Sequence, residues 1–374
     1  MSAHSFFPPS GAKAWRKCAL WPTMNQRYPQ EDTEDSKTGT AAHWVAWAIH
    51  AGHEIREGME APNGVIVTLE MLDGAEMLVD EINRQFPDGL MKIEQTLPIE
   101  TIHQNCFGTP DVWGFDAKSR TLKVIDYKFG YRFVDEFENE QCIAYAEGAI
   151  QLLSDQLDIG PGALDQKITV EFTVVQPRCY YKGKPIRTWT CKGSDIRGIV
   201  NDLHRAAEEA LKPEPLAVTN TECGDCPGRH ACAVFQKAIY SDMEMSGRST
   251  PVELPPAAAS LELALLERAA ARMEGRITGL RQQVEANAKS GLPTPWHALE
   301  AAYGRAKWTL PDEQIVAIGQ MYGKDFSKPG VITPNQAKKL GVDETVIKAY
   351  SNVATGVKLV PFDPKTISRV FKNE

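Results

Sequence analysis

Two short runs of alternating apolar and polar residues, Val112 to Phe115 and Thr121 to Asp126, flank the polar stretch Asp116-Ala117-Lys118-Ser119. Period-two patterning on both sides of a polar turn predicts a β-hairpin. Upstream, the pattern turns helical from Thr38: Ala42, Val45, Ala46 and Ile49 repeat at helical spacing, His43 falls in the first turn, and Gly52 closes the helix. A second amphipathic helix is expected over 66–86, with Leu69, Leu72, Met77, Leu78, Ile82 and Phe86 on its apolar face. Met91 to Ile102 then alternates as a strand that carries Glu94. Near the N-terminus Ser10 is placed to cap a short helix, Gly11 to Cys18, and the polar, acidic stretch 25–37 reads as a loop.

Beyond the hairpin, Glu138 to Leu153 reads as a helix with Gln141 and Tyr145 one turn apart on one face. Ile168 to Gln176 is a β-branched strand, Arg187 to Cys191 a further one, and Ser194 to Leu211 a helix. This order of elements suits an α/β core with a mixed sheet. After Tyr240 the composition shifts. Residues 246–257 read as a linker, and 258–288 as a long helix whose stripe Leu266, Ala269, Met273, Ile277, Leu280 and Val284 suits packing in a helical hairpin or against a second copy. A helix over Thr309 to Tyr322 follows. The stretch Thr333 to Tyr350, with Gly341 between two short helices, superficially resembles a helix-turn-helix. The expected organisation is one domain over 1–245, the linker, and a helical region over 258–374.

The 374 residues allow one large domain and a smaller one, and 43% hydrophobic with 24% charged residues is ordinary for a soluble globular chain. No apolar run approaches the ~20 residues that span a bilayer, and the first residues lack the apolar core of a signal peptide. A cytoplasmic location is the expectation. A net charge of −8 argues against broad, passive nucleic-acid binding but leaves room for a local basic groove. The eight cysteines are then expected to be ligands or buried thiols rather than disulfides.

The hairpin places Asp111 on its first arm and Asp126 and Lys128 at the end of its second, the last two on one face. Two carboxylates and a lysine converging on one point meet the needs of a hydrolytic Mg²⁺ site acting on phosphodiesters. The plainer reading is a solvated strand edge. Sequence order favours the former: Pro110-Asp111 followed by Asp126-Tyr127-Lys128 resembles the PD-(D/E)XK signature of restriction-endonuclease-like nucleases. Gly39-Thr40-Ala41-Ala42-His43 resembles the histidine motif of their RecB-like branch, and Gln141-Cys142-Ile143-Ala144-Tyr145 resembles its QxxxY helix. The resemblance covers roughly residues 5–240. Through Ala337-Lys338-Lys339-Leu340 and Lys358-Leu359-Val360-Pro361, the chain is also similar to a family of uncharacterised bacteriophage and prophage proteins with a RecB-like core.

Residues 223–232 read Cys-x₂-Cys-x₅-Cys, three thiols in a loop broken by Gly224 and Pro227 that can wrap a soft metal centre. Cys18 offers a fourth ligand. One cysteine before the nuclease motifs and three after resembles the iron–sulfur branch of the RecB-like nucleases, which includes the AddB helicase–nuclease subunit and the CRISPR adaptation exonucleases. That resemblance implies a [4Fe–4S] cluster on Cys18, Cys223, Cys226 and Cys232. Zinc on the same cysteines, with His230 replacing Cys18, is the alternative. Cys106, Cys142, Cys179 and Cys191 show no ligand spacing and are expected to be buried thiols.

The resemblance implies a Mg²⁺- or Mn²⁺-dependent deoxyribonuclease with a restriction-endonuclease-like core. Asp111 and Asp126 would hold the cation, with His43 and the Tyr127 carbonyl completing the shell and Glu94 a lesser acidic candidate. Lys128 would position or deprotonate the attacking water and offset charge on the phosphorane, and Gln141 and Tyr145 would orient Lys128 or contact the DNA backbone. DNA ends or single strands are the expected substrate, with a phage recombination protein or a second copy as further partners. Two rival readings are a DNA-binding or assembly protein that keeps the fold without turnover, and a metal-sensing regulator built on the cysteine loop.

Overall fold

The hairpin forms, and Asp116 shapes its turn. In the computed structural model, which describes residues 5–29, 32–179, 184–246, 254–297 and 299, Asp116 Oδ1 accepts from the backbone N–H of Lys118 at 2.8 Å and of Ser119 at 3.3 Å. These bonds turn the chain tightly between the two arms, and Arg120 adopts a left-handed φ of 53°.

In chain order, a 3₁₀ turn at Pro9–Gly11 leads into α1 (Ala12–Trp15), α2 (Trp21–Arg27), α3 (Glu34–His50) and α4 (Leu69–Gln85). The strands β1 (Lys92–Ile93), β2 (Leu97–Pro98), β3 (Phe107–Gly108), β4 (Val112–Asp116) and β5 (Thr121–Tyr127) follow. Then come α5 (Glu140–Leu157), α6 (Pro161–Asp165), β6 (Thr169–Val175), β7 (Ile186–Lys192), α7 (Arg197–Ala210), α8 (Ala233–Ser246) and α9 (Pro256–Lys289), with 3₁₀ turns at Gly193–Ile196 and Thr221–Asp225. The main sheet is mixed, in the order β1-β4-β5-β6-β7, and β2 and β3 pair separately. β5 and β6 run parallel, while the other neighbouring pairs in the main sheet are antiparallel. A parallel pair needs a crossover, which α5 supplies.

Alternation along β5 sorts its side chains between two cores. Leu122 and Val124 join the cluster with Cys142, Ile143 and Ala146 of α5 and Leu203 of α7. Ile125 and Tyr127 join Ala42 and Val45 of α3 and Leu78 and Ile82 of α4. Because helices cover both faces, the central strand is buried on both sides.

Several local expectations are corrected. The 25–37 loop is shorter, since α2 runs to Arg27 and α3 begins at Glu34, where Thr33 accepts from the Ser36 N–H and Glu34 and Asp35 sit in the positive first turn. His43 therefore lies nine residues past the start of α3 (43 − 34) rather than in its first turn. Ser10 caps nothing: it lies inside the 3₁₀ turn, and α1 stops at Trp15, short of Cys18. Leu69 opens α4 in an exposed position instead of joining its apolar face. The single strand Met91 to Ile102 is broken at Glu94, whose φ of 45° reverses the backbone, so β1 and β2 enter different sheets.

The chain separates into two compact units, Met1–Leu299 and Glu300–Glu374. The second unit, where a helix over Thr309 to Tyr322 and a helix-turn-helix-like stretch are expected, lies outside the described residues, as do 247–253 of the 246–257 linker. The long C-terminal helix forms as α9; of the stripe expected to pack, Ala269, Met273 and Val284 are half-buried while Leu266, Ile277 and Leu280 are exposed. The buried positions of α9 are Gly275 and Gly279. A Cβ on Gly275 would lie 2.8 Å from the Gly224 Cα, and one on Gly279 would lie 2.7 Å from Arg229 Cγ. Two glycines one turn apart thus let α9 lie against the cysteine loop at backbone distance.

Candidate active site

Strand register brings the first candidates together. Val112 stands opposite Ile125, so one more step of the antiparallel ladder sets Asp111 against Asp126. Asp111 Oδ2 accepts the Tyr127 backbone N–H at 2.7 Å, which pins the carboxylate across the strand ends. Tyr127 thus serves Asp111 through its N–H, while its side chain turns to the α3 and α4 side. Lys128 Nζ donates to Asp126 Oδ1 at 2.9 Å, as expected for residues two apart beside a strand.

From one side α5 closes on this pair. Asn139 caps it by accepting the Cys142 N–H, and the helix then presents Gln141 and Tyr145. Gln141 Oε1 accepts from Lys128 Nζ at 3.3 Å, and its Nε2 donates to Asp126 Oδ1 and Tyr145 Oη, each at 3.3 Å. Only this orientation of the amide puts its oxygen on the ammonium and its nitrogen on the carboxylate. Gly108 holds the far side of Tyr145, since a Cβ there would lie 2.9 Å from Tyr145 Cε1 and 2.7 Å from Pro9 Cγ. From the other side α3 delivers His43, whose Nδ1 lies 3.3 Å from Asp111 Oδ1 and whose ring meets Tyr127 edge-on at 5.1 Å.

The two carboxylates are poised oppositely. Burial raises the pKa of Asp111, but the His43 hydrogen bond and charge outweigh it and hold the carboxyl below its ordinary range. Burial raises that of Asp126, and the neighbouring Asp111 adds to the rise against the pull of Lys128. Burial pulls the Lys128 ammonium down, yet Asp126 and Asp111 overcome it, so Lys128 remains protonated at neutral pH. His43 follows the same logic, with Asp111 outweighing burial to raise it.

Asp126 Oδ2 is buried and accepts no hydrogen bond. An unsatisfied buried oxygen costs about 1–3 kcal/mol, more when charged, and a hard divalent cation is the partner that oxygen ligands of this kind favour. Two carboxylates, one of them with this oxygen left over, and an imidazole are the donors the site offers Mg²⁺ or Mn²⁺. Glu94 stands aside: its N–H donates to the Asp111 carbonyl at 3.0 Å, but its carboxylate accepts from Trp47 Nε1 at 2.7 Å.

The sequence did not single out Gln176, which is fully buried just past β6. Its amide holds the chain that follows Lys128, with Nε2 donating to the Gly130 and Arg132 carbonyls at 2.8 and 2.7 Å. A glutamine ending a β-branched strand was the only available signal.

Cys18, Cys223, Cys226 and Cys232 line one cavity of about 350 Å³, which includes open solvent, together with Trp21, Met24 and Phe235. Its walls suit soft ligands: the Asn220 N–H donates to Cys223 Sγ at 3.3 Å. Burial pushes the Cys226 thiol up to about 11 against a hydrogen bond from the Gly228 backbone. Among the described residues, neither here nor at the carboxylates do three His, Cys, Asp or Glu side chains stand ready-gathered as a metal-ligand set. His230 does not line the cavity; it packs edge-on against Tyr28 at 4.6 Å. The loop is tied on both flanks. Lys17 Nζ donates to Glu222 at 3.0 Å, and on the other side Arg276 of α9 donates to the His230 carbonyl at 3.1 Å. Cys106, Cys142 and Cys179 are buried as expected, whereas Cys191 is only half-buried.

Fold and site together define an α/β protein with a mixed five-stranded sheet, a carboxylate–lysine–glutamine cluster at the end of its central strand, and a separate cysteine-lined cavity. A family model described as "Protein of unknown function (DUF2800)" matches residues 4–344, and the chain belongs to that family. No curated protein matches it. Among the described residues, no helix is long and apolar enough to cross a membrane.

Proposed function

We propose that this protein is a metal-dependent deoxyribonuclease with a restriction-endonuclease-like core of the RecB-like kind, acting on DNA ends or single strands. The observation that carries this reading is the convergence of Asp111, Asp126, Lys128, Gln141 and His43 from four separate segments onto one point, with Asp126 Oδ2 buried there and accepting no hydrogen bond.

Asp111, Asp126 and His43 are the residues to hold the cation, with the Tyr127 carbonyl as a further ligand. When bound, the cation polarises a phosphoryl oxygen and makes water a stronger nucleophile at neutral pH. Lys128, held protonated by the carboxylates, offsets the negative charge that grows on phosphorus and orients water through its remaining N–H bonds. Gln141 fixes the Lys128 ammonium and Asp126 in mutual register, and Tyr145 steadies Gln141. The four cysteines are proposed to hold a [4Fe–4S] cluster, with zinc as the alternative, that staples the N-terminal segment to the loop 223–232.

A Mn²⁺-dependent assay on end-labelled single- and double-stranded DNA tests the reading, with Asp126→Ala as the control. Shortening of labelled strands by the wild type alone supports it; no cleavage of any DNA form by the wild type overturns it. One observation favours a binding or assembly protein without turnover: the pairs His43–Asp111 and Lys128–Asp126 already place a cationic or ionisable partner beside each carboxylate. DNA binding with no cleavage at any divalent metal would select that second reading.

A further inference from the structure

Three residues past Lys128 the chain carries an aromatic ring outward on a loop that is tied down from beneath. Gln176 fixes the carbonyls on either side of that ring, those of Gly130 and Arg132, and its Oε1 accepts from the Val134 N–H at 3.2 Å and from Arg187 Nη2 at 2.9 Å. Arg187 donates in turn to the Val134 carbonyl at 2.8 Å. Between these fixed points Tyr131 is 60% exposed, against 4% for Phe129 two residues earlier. The guanidinium of Arg178 lies 4.0 Å from the Phe129 ring centre and 4.7 Å from that of Tyr131. Arg178 is anchored by Glu70 at 2.8 Å, and its buried Nε has no hydrogen-bond partner. A buried phenylalanine, an arginine and an exposed tyrosine thus form one braced cluster that ends in an outward ring.

Such a ring does nothing for the core, and its bracing removes the freedom an exposed side chain ordinarily keeps. Its position narrows its use. Three residues of chain reach at most roughly 11 Å, so the Tyr131 backbone lies within reach of a nucleotide adjoining a phosphodiester held at Lys128. Every base offers a π-face, and a tyrosine backed by arginine takes any of them without reading sequence. In a duplex those faces are covered by neighbouring pairs. The chain's net charge of −8 leaves little affinity to come from phosphate neutralisation over a broad surface.

We infer that Tyr131, braced by Arg178 and Gln176, is the stacking platform that makes the site select single-stranded DNA over duplex. The inference rests on the nuclease reading for its substrate class, but binding tests it separately from cleavage. The experiment measures fluorescence anisotropy of a labelled single-stranded oligonucleotide, and of its duplex, with the full-length wild type and with Tyr131→Ala, Tyr131→Leu and Tyr131→Phe. Circular dichroism checks each fold, and Mn²⁺-dependent cleavage is run in parallel. Tyr131→Ala is expected to weaken single-strand binding by about 5- to 150-fold, the range found for base–aromatic stacking, with duplex binding unchanged. Tyr131→Phe retains affinity, and Tyr131→Leu, which keeps apolar bulk without a ring, does not.

Unchanged single-strand binding by Tyr131→Ala overturns the platform, as does an equal loss on single strand and duplex or full activity of Tyr131→Leu. If the wild type cuts and Tyr131→Ala cuts single strands with the same KM, the nuclease stands and the platform falls. If the wild type binds single strands through Tyr131 but never cuts, the platform stands and the nuclease falls.

Discussion

Asp111 and Lys128 are 17 residues apart in the chain (128 − 111) and meet at the end of one hairpin, whereas Cys18 and Cys232 are 214 residues apart (232 − 18) and face the same cavity. The first site is carried by a strand buried on both faces and braced by hydrogen bonds from α5. The second is carried by turn and loop segments, none of them a strand, held by Lys17–Glu222 on one flank and by the glycine face of α9 on the other. The sheet fixes the geometry of the carboxylates whether or not a ligand is bound. The thiols have no strand beneath them, and their loop lies against α9 instead. Rigid elements make precise polar sites, while segments drawn from distant parts of a chain need a staple.

Asp126→Ala should separate the two regions most sharply. Metal-ion catalysis is worth several kcal/mol, so cleavage of end-labelled DNA is expected to fall at least about a thousandfold. Metal content at the cysteines and DNA binding should persist. An Asp126→Ala protein that still cuts would dissolve the contrast, because the buried carboxylate would then not be part of the chemistry.

Cys223→Ser should do the reverse. Iron and sulfide analysis, or zinc analysis for the alternative, is expected to show loss of the bound centre, and thermal unfolding should begin about 5 °C or more lower. Residual Mn²⁺-dependent cutting at low temperature should remain. A variant with unchanged metal content and unchanged melting would remove the cysteine centre altogether.

Gly279→Val probes the clasp alone. The new side chain meets Arg229 at a distance no Cβ tolerates, and overpacking of this kind typically costs about 1–3 kcal/mol. Hydrogen exchange should quicken over 223–232 and leave β5 protected. Exchange that quickens in the strand as well would show that the two regions unfold as one unit.

The smallest expected effect is that of Gln141→Leu. It removes the bonds to Lys128 and Asp126 while keeping bulk on α5, and kcat should fall about tenfold, the worth of one hydrogen bond to a charged group. KM should hold, because Gln141 orients the ammonium rather than the DNA.

The same contrast explains what the sequence made legible. The β4–β5 hairpin could be read from its alternation, because both arms and the Asp116 turn are local, and with it came the pairing of Asp111, Asp126 and Lys128. The strand break at Glu94 was invisible, since a left-handed backbone at a glutamate leaves no compositional mark where a glycine would have. The Thr33 cap was present as a threonine before two acids, but the polar run around it reads equally as loop. On α9 the hydrophobic stripe drew the eye away from Gly275 and Gly279, the helix's buried positions, because close backbone contact carries no hydrophobic signal. Gln176 was unreadable for a related reason, since its partners are backbone carbonyls some 45 residues earlier (176 − 130 and 176 − 132 give 46 and 44).

The clasp of α9 on the cysteine loop also sets a timetable. The strands of the main sheet are complete by Lys192 and the cysteine loop by Cys232, but the bond from Arg229 to Gln282 needs a further 50 residues (282 − 232). At about 5–20 residues per second, that is a delay of several seconds. Throughout that interval a nascent chain holds its complete sheet while α9 is not yet there to cover the cysteine loop. Any cellular factor that loads a metal centre onto those thiols would meet them most openly in that window, before Gly275 and Gly279 close over Gly224 and Arg229.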